Sequence, residues 1–278
     1  MGSEAAREIA SKIAAAEPLH WMARVGYAVR GVVFLIVGGL AMLAAGGYAT
    51  RPQGARDALQ TLAEQPLGGL LLWAVAGGLA CFAGWRFLQS FFDADDYGSG
   101  PYGLMRRSAF ACGGIFYVAL AAATARIVIG ERSTSEEQSA RDWTHWLMLK
   151  PFGRGLLALI AAVMIGVAIS LAIKSWRAPY RRTLDAPPTP RAWAVALGSF
   201  GMLTRAYIFF MIGIFLGHAA YDYNSKKVVG VAGVLDTLQH QSYGRWLLAV
   251  VALGLLAFGC FEIIEAFVRR VHAPKLAR

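Results

Sequence analysis

The sequence predicts an all-α membrane protein whose six transmembrane helices form three tandem parallel two-helix repeats, closed as a pseudo-threefold bundle. Three observations predict it. The chain is 57% hydrophobic and 16% charged, with a mean hydropathy of +0.48, whereas soluble domains are about 45–50% apolar and about 25% charged. Charge-free runs at 32–47, 67–85 and 155–173 approach the length of about 20 apolar residues that crosses a bilayer core of about 30 Å. They lack the two-residue alternation of transmembrane strands. Finally, one phrase recurs without a gap: "QTLAEQPLGGLLL" at 60–72, "HWLMLKPFGRGLL" at 145–157 and "DTLQHQSYGRWLL" at 236–248. Internal repetition of this kind fixes the architecture.

The elements follow in order. The opening stretch "REIASKIAAAE" places Ile and Ala at helical spacing. It reads equally as a short amphipathic helix on the membrane surface and as a frayed, solvated terminus. Glu4, Arg7, Glu8, Lys12 and Glu17 interrupt any apolar core there, so a cleavable leader is not expected. Apolar segments follow at about 25–46, 67–91, 107–129, 153–175, 199–221 and 244–267. The repeated phrase precedes the second, fourth and sixth, and Gly68, Gly153 and Gly244 mark the same point in each. The odd segments align more weakly as "ARVGYAVRGVVFLIVGG", "RRSAFACGGIFYVALAA" and "TRAYIFFMIGIFLGHAA". This alignment superposes Arg24, Arg107 and Arg205, then Phe34, Tyr117 and Phe215, and leaves Arg30 opposite Gly113 and Met211, outside the pattern. The whole chain is one membrane domain with repeat units at about 20–98, 99–186 and 187–271. Two spans per unit give all three the same orientation, and a closed six-helix bundle is the simplest arrangement; an unclosed row of three hairpins is the alternative. "DADDYGSGPYG" and "DAPPTP" link the units, the second as a stiff spacer. The prelude "WAVALGSFGML" either lengthens the fifth helix or lies along the interface.

Charge sets orientation. With both termini in the cytoplasm, that side receives 17 Lys and Arg and the far side 10, the bias expected of cytoplasmic flanks. The net charge of +10 therefore reads as a topology signal that favours anionic lipid headgroups at the cytoplasmic face. It does not read as a nucleic-acid surface, since it lies beside spans.

Charges near span ends are the candidate site. Eighteen residues after each marker glycine come Arg86, Leu171 and Glu262, and three further on come Gln89, Lys174 and Glu265. About 27 Å of helix separates the marker from the first set. Around a threefold axis they form two stacked rings, pairing Arg86 with Glu262 and Lys174 with Glu265 as an inter-repeat collar. A cytoplasmic gate is the stronger version, and snorkelling side chains are the plain one. His145, His218 and His240 lack metal-ligand spacing, so no metal site is expected. Nor is a disulfide framework expected from Cys81, Cys112 and Cys260, which lie in apolar runs. GxxxxGK[ST] and GxSxG are absent, so no catalytic residues, enzyme activity or cofactor are expected. Asp57 and Asp142 occupy matching "ARD" positions suited to capping a short helix. Frequent glycines within spans favour close helix packing.

These residues resemble a known family. "ARVGYAVRGVVFLIVGGLAML" with "ALQTLAEQPLGGLLLWAVAGGLACFAGWRFLQSFFD" is similar to the repeat of the domain of unknown function 1206 family, and the resemblance spans about 20–270. It implies a bacterial inner-membrane protein with three two-helix repeats and carries no catalytic residues. Unit two lacks the Gly26–Tyr27 pair of unit one, and unit three has Ser242 in place of proline. The expected function is a non-catalytic scaffold or lipid- and partner-binding bundle, with a membrane protein as the possible partner. A small channel or transporter along the axis is the first alternative, and a membrane enzyme or haem protein the second.

Overall fold

Backbone amides in lipid have no water to bind, so the apolar runs satisfy them internally and fold as helices. The structure, a computed structural model, describes residues 2–49, 51–93, 98, 100–131, 135–177 and 188–268, with side chains from 21 onward and, after 187, from 192. Its helices are α1 (Gly2–Ala45), α2 (Ala55–Ala63), α3 (Gly68–Phe91), α4 (Pro101–Val128), α5 (Glu136–Met148), α6 (Gly153–Arg177), α7 (Pro188–Asp222), α8 (Val231–Gln239) and α9 (Gly244–Val268). Six stretches are long and apolar enough to span a bilayer: Trp21–Ala45, Gly68–Phe91, Pro101–Val128, Gly153–Arg177, Ala192–Asp222 and Gly244–Val268. The chain is an all-α multi-pass membrane protein of three two-helix repeats. The shorter helices α2, α5 and α8 each precede one return span.

Two sequence readings change at the helix starts. The opening stretch forms no separate surface helix or frayed coil, because its backbone runs unbroken into the first span as α1. A lone Pro18 removes one backbone donor, and helix continues on both sides of it. The prelude before Arg205 likewise lengthens α7. Residues 185–187 of the "DAPPTP" spacer lie outside the described residues.

The marker glycines have a steric origin. Each repeat leaves its short helix through the same bonds. Gln65, Lys150 and Gln241 amides donate to Leu62, Leu147 and Leu238 carbonyls at 3.2, 3.0 and 3.2 Å. Gly68, Gly153 and Gly244 amides then donate to Gln65, Lys150 and Gln241 carbonyls at 2.8, 2.9 and 2.8 Å. This turn folds the chain so tightly that a Cβ on Gly68, Gly153 or Gly244 would strike the carbonyl oxygen of Leu62, Leu147 or Gln239.

The spans form a ring with pseudo-threefold order. Each return span packs on the first span of the next repeat: α3 on α4, α6 on α7, and α9 back on α1. Within repeats one and three, α1 also packs on α3 and α7 on α9. Repeat two departs from this, because α4 and α6 make no comparable contact among the described residues. The ring is therefore open between them. Apolar contact alone gives helices no net drive to associate in lipid, so small residues set the closest approaches. At the α1–α9 seam a Cβ on Gly31 would lie 2.8 Å from the Gly259 carbonyl, and one on Gly259 2.8 Å from that of Gly31.

Above the opening, α5 ties the three connections together. The Arg56 amide donates to Glu136 Oε2 at 3.4 Å and the Glu136 amide to Asp57 Oδ1 at 3.4 Å. Arg56 Nη1 also donates to Ser139 Oγ at 2.6 Å. Gly54 and Gly230, from the first and third repeats, both approach the Glu136 carboxylate. Asp57 thus meets the start of the next repeat's helix rather than its own. Asp142 sits in the middle of α5, which extends further at its N-terminal end than α2 does. Burial, with repulsion from Asp57, holds the Glu136 carboxyl above its ordinary value of 4.5, opposed by Arg56.

Two outcomes follow for stability. Gly153→Ala and Gly244→Ala should each cost about 1–3 kcal/mol through overpacking. Gly155→Ala, with open space around its Cα, should cost nothing by thermal unfolding in detergent. A carboxyl whose folded pKa is raised binds its proton more tightly when folded, so stability falls as pH rises through that range. Glu136→Gln should therefore melt higher than the parent at neutral pH, with the gap closing as pH falls toward 4.5. A pH-independent difference would contradict the assignment.

Candidate functional site

The packing of each hairpin fixes the true register of the repeats. A Cβ on Gly26 would meet Phe82, and one on Gly201 would meet Phe258; likewise Gly78 faces Val29 and Gly254 faces Thr204. Gly26 and Gly201 are 175 positions apart, as are Val29 and Thr204. The sequence alignment used 181, the distance from Arg24 to Arg205. The structural counterpart of Arg205 is therefore Arg30, and that of Phe34 is Phe209 rather than Phe215. Gly31 approaches Ile263 and Gly114 approaches Phe87, which places Gly113 as the counterpart in repeat two. The alignment slipped because it anchored Arg205 on Arg24 at the head of the first span, whereas Arg205 lies well inside α7, which begins at Pro188.

In this register the odd helices carry Arg30, Gly113 and Arg205, followed one turn later by Phe34, Tyr117 and Phe209. The aromatic contacts repeat as well. Phe34 meets Phe258 at 4.8 Å and 83°, and Tyr117 meets Phe82 at 4.6 Å and 81°, favourable edge-to-face geometries. The even helices bring Arg86, Leu171 and Glu262 to the same end of the bundle, about 27 Å along each helix from its marker glycine.

At the α9–α1 seam, Arg30 Nη1 donates to Glu262 Oε2 at 2.9 Å, with side chains 5% and 3% exposed. The guanidinium also lies 4.9 Å from the Phe82 ring centre, 5.2 Å from Phe258, and 5.6 Å from both Phe34 and Tyr117. A carboxylate and four π-faces thus replace water around a charge that lipid would not accept. The sequence had matched Glu262 with Arg86. The structure instead places Arg86 over Phe82 and Phe110, at 4.8 and 5.2 Å, donating to Gln89 Oε1 at 3.1 Å on its own helix. Glu265 lies within electrostatic range of Arg30 and Glu262. Lys174 is half-buried near the end of α6.

Arg205 is held differently. Its guanidinium rests on Phe258, Phe34 and Phe209, at 4.5, 5.4 and 5.4 Å. Among the described residues it makes no hydrogen bond or ion pair. Its neighbours in electrostatic range are Arg30, Tyr117, Glu262 and Arg86. Sequence reasoning missed Arg30 and Arg205 as a pair. The usable signal was an arginine four residues before an aromatic, 38 and 39 positions ahead of the marker glycine.

The family described as Domain of Unknown Function (DUF1206) matches residues 25–93, 108–178 and 200–269. Its first and third matches begin 175 positions apart, the register of the structure. The chain is 31% identical to "Uncharacterized protein YxxB" of Bacillus subtilis (strain 168) over 257 residues, covering 91% of this chain and 92% of that protein. No solved structure matches it.

Removing one partner of a buried pair strands the other's charge, so Glu262→Gln and Arg30→Met should each cost about 3–5 kcal/mol. The double variant should cost clearly less than their sum. Additive losses in melting temperature would show that the two side chains do not act as a pair.

Proposed function

We propose, starting from the fact that the chain belongs to the DUF1206 family, that it is a non-catalytic lipid-binding helical bundle. In this reading it lies in the bacterial inner membrane with both termini in the cytoplasm. The observation that carries the reading is the opening between α4 and α6, the one pair of neighbouring spans without close packing among the described residues. A ring that exists only to hold its own helices together gains from closing all six contacts. One left apart in the bilayer plane, under a tied outer cap, admits an amphiphile sideways. An apolar groove of about 620 Å³ between α3 and α4, lined by Trp73, Gly77, Ala80, Phe87, Val118 and Ala122, offers acyl chains a second resting place. The aromatic side chains packed around Arg30 at the inner end support this reading over a continuous polar path along the axis. The Lys and Arg bias supports the orientation.

Ligand that binds only the folded state stabilises it by mass action, about 2.7 kcal/mol at a hundredfold excess over Kd. Delipidated protein should therefore melt higher, and saturably, as bacterial lipid extract is added back. Native mass spectra of gently solubilised protein should retain bound lipid. A protein that emerges bare and melts independently of added lipid rejects the proposal.

A further inference from the structure

The three seams of the ring place different chemistry at one repeated position. Where α9 meets α1, Arg30 faces Glu262. Where α3 meets α4, Gly113 stands in the arginine's place and Arg86 in the acid's. Where α6 meets α7, Arg205 is present and Leu171 replaces the acid. The third seam thus keeps the arginine and its aromatic bed without the carboxylate that completes the first.

Nothing nearby repairs this. Arg205 has three phenylalanine rings and no hydrogen bond or ion pair among the described residues. Arg86 has two rings and the amide oxygen of Gln89. Glu262, within electrostatic range of both, is already bound to Arg30. Arg30 is buried, whereas Arg205 is half-buried. An uncompensated cation at this depth is costly, and a guanidinium is built to take two oxygens of one anion.

The anion's source follows from position. Arg205 lies about 26 Å along α7 from Asp222, within the inner half of the span Ala192–Asp222, and the ring opens to the bilayer between α4 and α6. We infer that Arg205, with Arg86, binds the phosphate of an anionic phospholipid that enters through this opening from the surrounding leaflet. The inference rests on the lipid-binding reading and assigns it a headgroup and a site. The phosphate supplies at the α6–α7 seam what Glu262 supplies at the α9–α1 seam.

The repeat itself provides the test. Leu171→Glu places an acid where the first seam has one, giving Arg205 an internal partner. The full-length protein is titrated with phosphatidylglycerol and with diacylglycerol of the same chains, followed by native mass spectrometry. The parent should prefer phosphatidylglycerol. Leu171→Glu and Arg205→Gln should each weaken phosphatidylglycerol binding by about tenfold, the scale of a charge-assisted bond, and leave diacylglycerol binding unchanged. Leu171→Glu should melt no lower than the parent, and Arg126→Gln, at an exposed outer arginine, should bind as the parent does. Glycerol 3-phosphate should not displace the lipid; displacement would overturn the lipid source. Parental phosphatidylglycerol binding in both seam variants, or equal affinity of the parent for the two lipids, overturns the site while leaving general lipid binding intact. Absence of any retained lipid sinks both.

Discussion

The ion pair between Arg30 and Glu262 joins the first span to the last, 232 positions away, and the rest of the ring is arranged around it. In water, helices would be pressed together by their apolar faces. In a bilayer that force vanishes, because acyl chains are as apolar as leucine. What remains is close backbone approach and the avoidance of stranded charge. Both act at the same seam, where Gly31 and Gly259 bring α1 and α9 near enough for the guanidinium and carboxylate to meet at 2.9 Å. The four aromatic rings about Arg30 come from α1, α3, α4 and α9, so one cation organises side chains from all three repeats.

The repeats conserve shape more faithfully than charge. Tyr117 takes the place of Phe34 with nearly the same ring geometry, and all three marker glycines sit under a carbonyl. The charged position is an ion pair at one seam, a lone arginine on the return span at the second, and a lone arginine on the leading span at the third. Three copies in one polypeptide are free to diverge in this way, whereas three identical subunits would carry every change at every seam. The open hairpin of repeat two belongs to the same divergence, since α4 leans on the first repeat and α6 on the third.

The parts legible in the sequence were those set by local rules. Apolar run length gave the six spans, and Gly68, Gly153 and Gly244 announced themselves by recurring at one point of a repeated phrase, where a Cβ would strike a backbone carbonyl. What stayed hidden depends on two helices at once. The register of repeat three turns on Gly201 against Phe258 and Gly254 against Thr204, contacts that no single stretch reveals. Arg24, at the head of its span, invited an alignment that Arg30 should have anchored. Glu262 was found, but its partner was not, because choosing between Arg86 and Arg30 requires knowing which neighbour faces it. The gap between α4 and α6 has no sequence mark, since both helices are as apolar as the rest.

That the decisive carboxylate lies in the final helix also orders events during synthesis. Arg30 leaves the ribosome early and must wait for nearly the whole chain before Glu262 is inserted. Until then the membrane holds a partly built protein with an exposed cation in its first helix. A chain cut short anywhere before α9 keeps Arg30 without its carboxylate.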